Sequence, residues 1–390
     1  MASQSSNPLL EVHRRAEAEF QPYGDVEIVS TFGQPQAEYA AIRKGCALLD
    51  LPQRGILEIT GKDRLDFLNR LLTNQIVDKQ SKQSLSAGGG VYAFLLSNKG
   101  RIVSDMNVLE RGDRTLLETD ARNVPALQAE LEKYIFSEQV KLASQMGRLH
   151  QLALHGPKSA EILRQLLPQG SALPPVSGSV AARFLESEVI LWRDDPTGAA
   201  GYGLIMPVEA ANRIWTEITS RFGPPPPAAE PSYKRQVWPA GWAAFNTTRI
   251  EAGRPLFGID FDQTVLPAET GQLQRAVSFT KGCYVGQEIV ARMHARGQIA
   301  RHIVGVRMHG DALPIAAAPV FDSQKNQVGQ ITSSTLSPSL SNSAICLAMV
   351  KGAFASAGTE LLIAAEGAIS GGSVVDLPFL KTGMATNESA

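Results

Sequence analysis

Cysteine is scarce in this chain: three in 390 residues, at Cys46, Cys283 and Cys346. They stand far apart, are odd in number and show no CxxC or CxxH spacing. This excludes a disulfide framework and a self-contained zinc or iron–sulfur site, and it fits a reducing compartment. An excess of charge of one sign is also missing. Lys and Arg number 37 against 38 Asp and Glu, a net charge of −1, so no global field draws in nucleic acid or an anionic membrane. No apolar run approaches the roughly 20 residues that a membrane helix needs. Residues 1–23 lack the apolar stretch of a secretion signal. They carry Glu11, Glu17 and Glu19, whereas mitochondrial transit peptides are poor in acids. The expected location is the cytoplasm, with neither nucleic acid nor membrane as a partner. There is no P-loop, GxGxxG, GxSxG or HExxH motif, and no metal site is expected.

What is present is the material of an ordinary globular protein, 44% hydrophobic and 19% charged, long enough for two or three domains. One or two helices are expected over residues 8–49. The alternating Gly55–Thr60 reads as a strand. Gly61-Lys-Asp63 then opens a helix with Leu65, Leu68, Leu71 and Leu72 on one face. A hairpin is expected for 91–96 and 101–109 around Asn98-Lys-Gly100, then a strand at 115–119 and a helix carrying Val124, Leu127 and Leu131. The same order recurs from Leu149: strand, Gly156 turn, helix, strands near 182–185, 189–192 and 202–206, and a helix over 208–222. Gly61 and Gly156 hold equivalent places, which suggests two related α+β halves of split-βαβ type. The run Gly223-Pro-Pro-Pro-Pro-Ala-Ala-Glu-Pro231 is a stiff connector. A helix is expected over 242–252. The long loop 254–279 carries Leu256, Phe257, Ile259, Phe261 and Leu266, which argues for ordered packing. After residue 299 only short strands separated by Gly, Pro, Asn and Ser remain, the pattern of a small β-barrel or sandwich.

The chemistry concentrates in Lys281-Gly-Cys-Tyr-Val-Gly-Gln-Glu288. A lone thiol sits between a lysine and a tyrosine, bracketed by Gly282 and Gly286, and helical spacing begins at Gln287. Glycines let backbone approach a ligand closely. A neighbouring ammonium and a helix N-terminus both favour thiolate over thiol. The plain alternatives are a buried, inert Cys283 and a solvated Lys281.

Taken together, these segments resemble the folate-binding proteins related to the glycine-cleavage aminomethyltransferase, or T-protein. More narrowly, they resemble the YgfZ-type iron–sulfur cluster maturation proteins, whose signature the 281–288 motif matches. Thr248-Arg-Ile-Glu-Ala-Gly253, Leu266-Pro-Ala-Glu269, Leu71-Leu-Thr-Asn-Gln75, Tyr92, Lys99–Asp105 and Gly329-Gln-Ile-Thr-Ser333 match further family blocks. The resemblance implies an α+β fold: a three-domain T-protein-like ring with two related split-βαβ (ferredoxin-like) domains, a C-terminal β-barrel and a central folate cavity. Residues 1–55 and 148–235 would form the first domain. Residues 56–147 and 236–298 would form the second, which carries the motif; 299–382 would be the barrel and 383–390 a tail. It further implies tetrahydrofolate, or a one-carbon derivative, as the cofactor. Cys283, Lys281, Tyr284 and Asp105 would be the working residues, and Asn74, Tyr92, Asp105, Arg249, Glu251, Glu269, Gln287 and Glu288 the folate contacts. The partners would be iron–sulfur client enzymes or cluster carrier proteins.

Departures from the T-protein pattern shift the weight toward the thiol. Ser104-Asp105 stands where T-proteins carry paired aspartates, Gly201-Tyr-Gly203 where they carry a pterin-reading Gly-Tyr-Glu, and Phe245-Asn246 in place of an Arg-Asp pair. A carboxylate is the group best suited to accept from an amino-pyrimidine edge. The expected activity is therefore that of a tetrahydrofolate-binding accessory protein for assembly or repair of iron–sulfur enzymes, acting through Cys283. The alternative is a folate-dependent aminomethyl or methyl transferase.

Overall fold

The computed structural model describes residues 7–78, 80–223, 235–297 and 299–380; the proline connector expected at 223–231 falls almost wholly outside them. The chain divides into two compact units, one of residues 1–195, 199–245 and 272–291, the other of 196–198, 246–271 and 292–390.

The first unit holds two sheets, a six-stranded mixed one and a five-stranded wholly antiparallel one, each covered on one face by two helices. The six-stranded sheet runs Ser179–Phe184, Ser187–Arg193, Gly201–Pro207, Leu149–His155, Cys46–Asp50, Val237–Pro239. The five-stranded sheet runs Gly90–Leu96, Ile102–Glu110, Arg114–Asp120, Arg54–Thr60, Lys141–Ser144. Helices Ser159–Leu166 and Ala211–Phe222 bury Ile162, Leu163, Leu166, Ile214, Ile218 and Phe222 against the first sheet. Helices Arg64–Leu71 and Val124–Glu132 do the same on the second with Phe67, Leu68, Leu71, Leu127 and Leu131. These are the i, i+3, i+4 stripes read from the sequence. Each sheet also buries part of its other face: Ile56, Leu109 and Leu116 cluster with Trp192 and Ile205.

The repeat signature has a steric cause. Gly61 and Gly156 each carry positive φ (+107° and +123°), and a Cβ at either would collide with a backbone carbonyl, of Gln139 and Gly45 respectively. Only glycine can make this strand-to-helix turn.

Three elements depart from expectation. Residues 8–49 contain the helices Leu10–Arg15 and Pro35–Lys44, but also the hairpin Glu19–Tyr23/Val26–Thr31 and the strand Cys46–Asp50. Val237–Pro239, assigned from sequence to the second domain, pairs in parallel with Cys46–Leu48 of the six-stranded sheet. Loop 254–279 is ordered as expected but includes helical turns at Pro267–Thr270 and Leu273–Ala276.

The second unit is built on a closed six-stranded barrel of Arg301–Met308, Ser343–Lys351, Gln327–Ser337, Pro319–Phe321, Glu360–Ala365 and Ala368–Val375. Val306, Val320, Ile331, Cys346, Ala348, Val350 and Ile363 fill it. Closure removes the unpaired edges that an open sheet exposes.

Candidate functional site

The site is organised by the hairpin Gly90–Leu96/Ile102–Glu110, which brings Tyr92 and Asp105 to one face of the five-stranded sheet. Asp105 is 8% exposed. Its Oδ2 accepts from the Tyr92 hydroxyl at 2.9 Å. Its Oδ1 is buried and has no donor among the described residues. An unsatisfied buried carboxylate oxygen is costly unless something else binds it. Burial raises the Asp105 pKa; the Arg54 cation and the Tyr92 hydrogen bond oppose the rise, and Glu118 and Asp120 add to it. Arg54 is itself clamped by Glu118 through two bonds of 2.5 and 2.7 Å.

Asn74 joins this cluster from beneath. Its amide donates to the carbonyls of Tyr92 (2.8 Å) and Arg275 (2.9 Å). Arg275, which the sequence reading did not single out, lays its guanidinium over the Tyr92 ring at 3.9 Å from the centroid and pairs with Asp194 at 2.8 Å. No periodicity or motif marks it, since it sits on the four-residue helix Leu273–Ala276.

Lys281 does not stand as expected. It is 5% exposed, and its Nζ donates to the carbonyls of Asn69 (2.7 Å), Leu72 (2.6 Å) and Asn74 (2.8 Å). Burial pulls its pKa down to about 7, while three acceptors match the three protons of an ammonium. With those protons committed to backbone, Lys281 is a clip between the motif and the segment after helix Arg64–Leu71. It is not a solvated cation. Cys283 is exposed, whereas Cys46 and Cys346 are buried. The buried, inert reading therefore fails for Cys283 and holds for the other two. Tyr284 is buried, its ring centroid 5.2 Å from Lys281 Nζ.

Gly286 explains the close approach. At φ +80° its Cα faces the hairpin turn, and a Cβ would lie 2.7 Å from the Ser97 carbonyl oxygen. Gly282 has open space and no such need. The helix Gln287–Arg296 starts four residues beyond the thiol, with Gln287 half-buried and Glu288 exposed in its first turn.

The remaining expected folate contacts lie in the second unit and are committed internally. Arg249 is fully buried and donates to Asp260 (2.6 Å), Ser333 (2.7 Å), Asn246 (2.9 Å) and the Arg254 carbonyl (3.2 Å). Glu251 accepts from Ser337. Glu269 accepts from the Leu266 amide at 2.9 Å and pairs with Arg301 at 3.2 Å. Their side chains tie loop 254–270 to the barrel.

Two departures from the T-protein pattern take on new meaning. Adjacent strand residues point to opposite faces. Ser104 accordingly lies away from Asp105, accepting from Asn123 at 2.5 Å, so its lack of a carboxylate removes no acid from Asp105's side. At Gly203 a Cβ would collide with Nε1 of Trp192, which lies across the glycine and has no acceptor among the described residues. That position offers an indole N–H donor and no carboxylate.

Paired split-βαβ sheets and a six-stranded barrel define the class of glycine-cleavage T folds. Residues 9–281 match the GCVT N-terminal domain, and residues 301–381 the glycine cleavage T-protein C-terminal barrel domain. The chain belongs to the T-protein family. It is 28% identical to an aminomethyltransferase of Moorella thermoacetica over 98% of this chain and 99% of that protein. It is 27% identical to one of Bacillus subtilis over 96% and 98%. The crystal structure of glycine cleavage system aminomethyltransferase T from Bartonella henselae superposes with a TM-score of 0.83 at 23% identity, covering 96% of this chain and 97% of that one. Among the described residues no helix is long and apolar enough to cross a membrane.

Proposed function

We propose that the protein binds a reduced folate and handles its one-carbon unit at Asp105, as a folate-dependent transfer protein of the T-protein type. The observation that carries this reading is the buried Asp105 Oδ1 without a donor among the described residues. It is an acceptor shaped for a ligand N–H, held in place by the Tyr92 hydroxyl. A reduced folate, when bound, supplies the amine that carries the one-carbon unit. Asp105 accepts a hydrogen bond from it or exchanges a proton with it, and burial, which raises its pKa, makes that exchange easier than for an exposed carboxylate. Ser104, facing the other way, leaves this single carboxylate to do the work. Anaerobic calorimetry with tetrahydrofolate tests the reading: wild type binds, and Asp105→Asn weakens binding by roughly tenfold, the loss of a charge-assisted hydrogen bond of about 1.5 kcal/mol. Turnover is assayed with a lipoyl-linked aminomethyl donor. Absence of tetrahydrofolate binding by wild type defeats the proposal.

The exposed thiol favours a second reading. In it, the folate-loaded protein supports assembly or repair of iron–sulfur enzymes in the cytoplasm, with Cys283 meeting a client or cluster carrier. A single cysteine cannot hold a cluster that takes about four ligands, so any contact is shared. The two readings separate on one pair of variants. Cys283→Ala abolishes client support but spares folate binding and transfer under the second reading. Under the first, Asp105→Asn is the damaging change and Cys283→Ala is silent. Full client support by Cys283→Ala removes the second reading.

A further inference from the structure

Tyr92 supplies the hydrogen bond to Asp105 Oδ2, and its ring is fixed from two sides. Phe94 meets it edge-on with centroids 5.5 Å apart. The Arg275 guanidinium covers its face at 3.9 Å. Arg275 Nη2 is held by Asp194 Oδ2 at 2.8 Å, the two side chains 26% and 18% exposed. Asp194 belongs to the turn that follows strand Ser187–Arg193, where its amide donates to the Gly201 carbonyl at 3.1 Å. The Arg275 backbone is registered against Tyr92 by one Asn74 amide that donates to both carbonyls. A four-residue helix late in the chain thus delivers a cation to the ring of the phenol that serves Asp105.

We infer that Arg275 is a positioning residue for Asp105: acting through the Tyr92 ring, it keeps the carboxylate ionised and its Oδ1 free as an acceptor, while Asp194 holds the guanidinium in place. The inference rests on reading Asp105 as the working carboxylate. A cation over an aromatic face is attracted by about 0.5–2 kcal/mol. It also favours the build-up of negative charge on the phenol oxygen, which strengthens O–H donation to a carboxylate. A stronger donor to the charged form favours that form. The groups that act on Asp105 are Tyr92 from the hairpin partner, Glu118 and Asp120 from the strand on its other side, and Arg54 from the strand beyond that one. The two acids and burial press it toward protonation. Arg54 is already bound to Glu118 by two bonds. Beside the Arg54 charge, the phenol acts on Asp105 by a direct hydrogen bond, and Arg275 is what sits on the phenol.

The test uses the full chain as wild type, Arg275→Gln, Arg275→Lys and Asp194→Asn. The Asp105 carboxyl is followed by 13C NMR without ligand and assigned by its disappearance in Asp105→Asn. Arg275→Gln should move its titration upward by about half a pH unit or more, roughly threefold in the ratio of ionised to protonated form. Arg275→Lys should return most of that shift, and Asp194→Asn should lie between. Tetrahydrofolate affinity should fall in Arg275→Gln mainly on the acid side of its pH profile. An unchanged Asp105 titration in Arg275→Gln that melts like wild type overturns the inference. An equal shift in Arg275→Lys also overturns it, because any disturbance of packing would then suffice. If Arg275→Gln does not fold, Asp194→Asn carries the same test. Wild type that fails to bind tetrahydrofolate defeats the folate reading instead, and the NMR comparison still decides whether Arg275 sets Asp105.

Discussion

Replacing Asp260 with alanine probes how the second unit is held together. Asp260 is 3% exposed and accepts from Arg249 Nη1 (2.6 Å), the Leu256 amide (2.9 Å), Thr332 Oγ1 (2.7 Å) and Ser333 Oγ (2.6 Å). Its removal leaves the guanidinium of Arg249, which has no exposed surface, without a counter-charge. Breaking one side of a buried ion pair costs about 3–5 kcal/mol. The freed Leu256 amide and Ser333 hydroxyl add to that, while Thr332 keeps its 3.1 Å bond to the Leu347 carbonyl. The expected loss is about 4 kcal/mol. Hydrogen exchange of the amides in Gln327–Ser337 and Ser343–Lys351 is the assay. Tryptophan fluorescence is unsuited, because all four tryptophans (Trp192, Trp215, Trp238, Trp242) belong to the first unit. In Asp260→Ala these amides should lose protection by about three orders of magnitude. A variant within about 1 kcal/mol of wild type would refute a structural role for Arg249 and make it a ligand group again.

Burial lowers the His155 pKa to about 4, and nearby Asp194 and Asp195 offset this only in part. The unfolded chain takes up this proton near pH 6.5, whereas the native protein resists it until about 4. The contribution is present above pH 6.5 and lost as pH falls toward 4, about 3 kcal/mol in all. Urea midpoints of wild type should fall across that window more steeply than those of His155→Phe; parallel profiles would disprove the assignment. Lys281→Met orphans three carbonyls and should cost about 3 kcal/mol in thermal or urea unfolding, with a loss under about 1 kcal/mol showing that the clip is idle. In native protein one thiol, Cys283, should react with an aromatic disulfide reagent and three after denaturation; reaction of a second native thiol would contradict the burial of Cys46 and Cys346.

Much of this architecture was legible in the sequence, because its devices are local. The strand–glycine–helix turns at Gly61 and Gly156, the leucine stripes, the hairpin around Asn98-Lys-Gly100 and the all-β end each announce themselves within about ten residues. Cys46–Asp50 was missed because five residues between a glycine and a turn carry no period. Val237–Pro239 was missed because its three residues acquire meaning only beside a strand nearly two hundred positions earlier. The site was legible in its members more than in its roles. Asn74, Tyr92 and Asp105 do converge, yet Lys281 read as a free ammonium because nothing local reveals the three carbonyls that take it. Arg249 read as a ligand group because Asp260 and Ser333 reach it only through the folded second unit. Arg275 gave no signal, since its function depends on a ring contributed from far upstream.

The turn of Ser104 toward the helix-covered side of the sheet has an evolutionary consequence. A substitution there reports to Asn123 and the helix-covered side of the sheet and, through the Ser104 hydroxyl, to the Asp105 carbonyl at 3.0 Å, while the carboxylate itself faces the other side. A second acid on Asp105's face would have to come from a position of the same parity, such as Asn107, which already donates to Glu118 at 2.8 Å. Counting aspartates along the strand misjudges the site. The parity of their positions is what selection can act on.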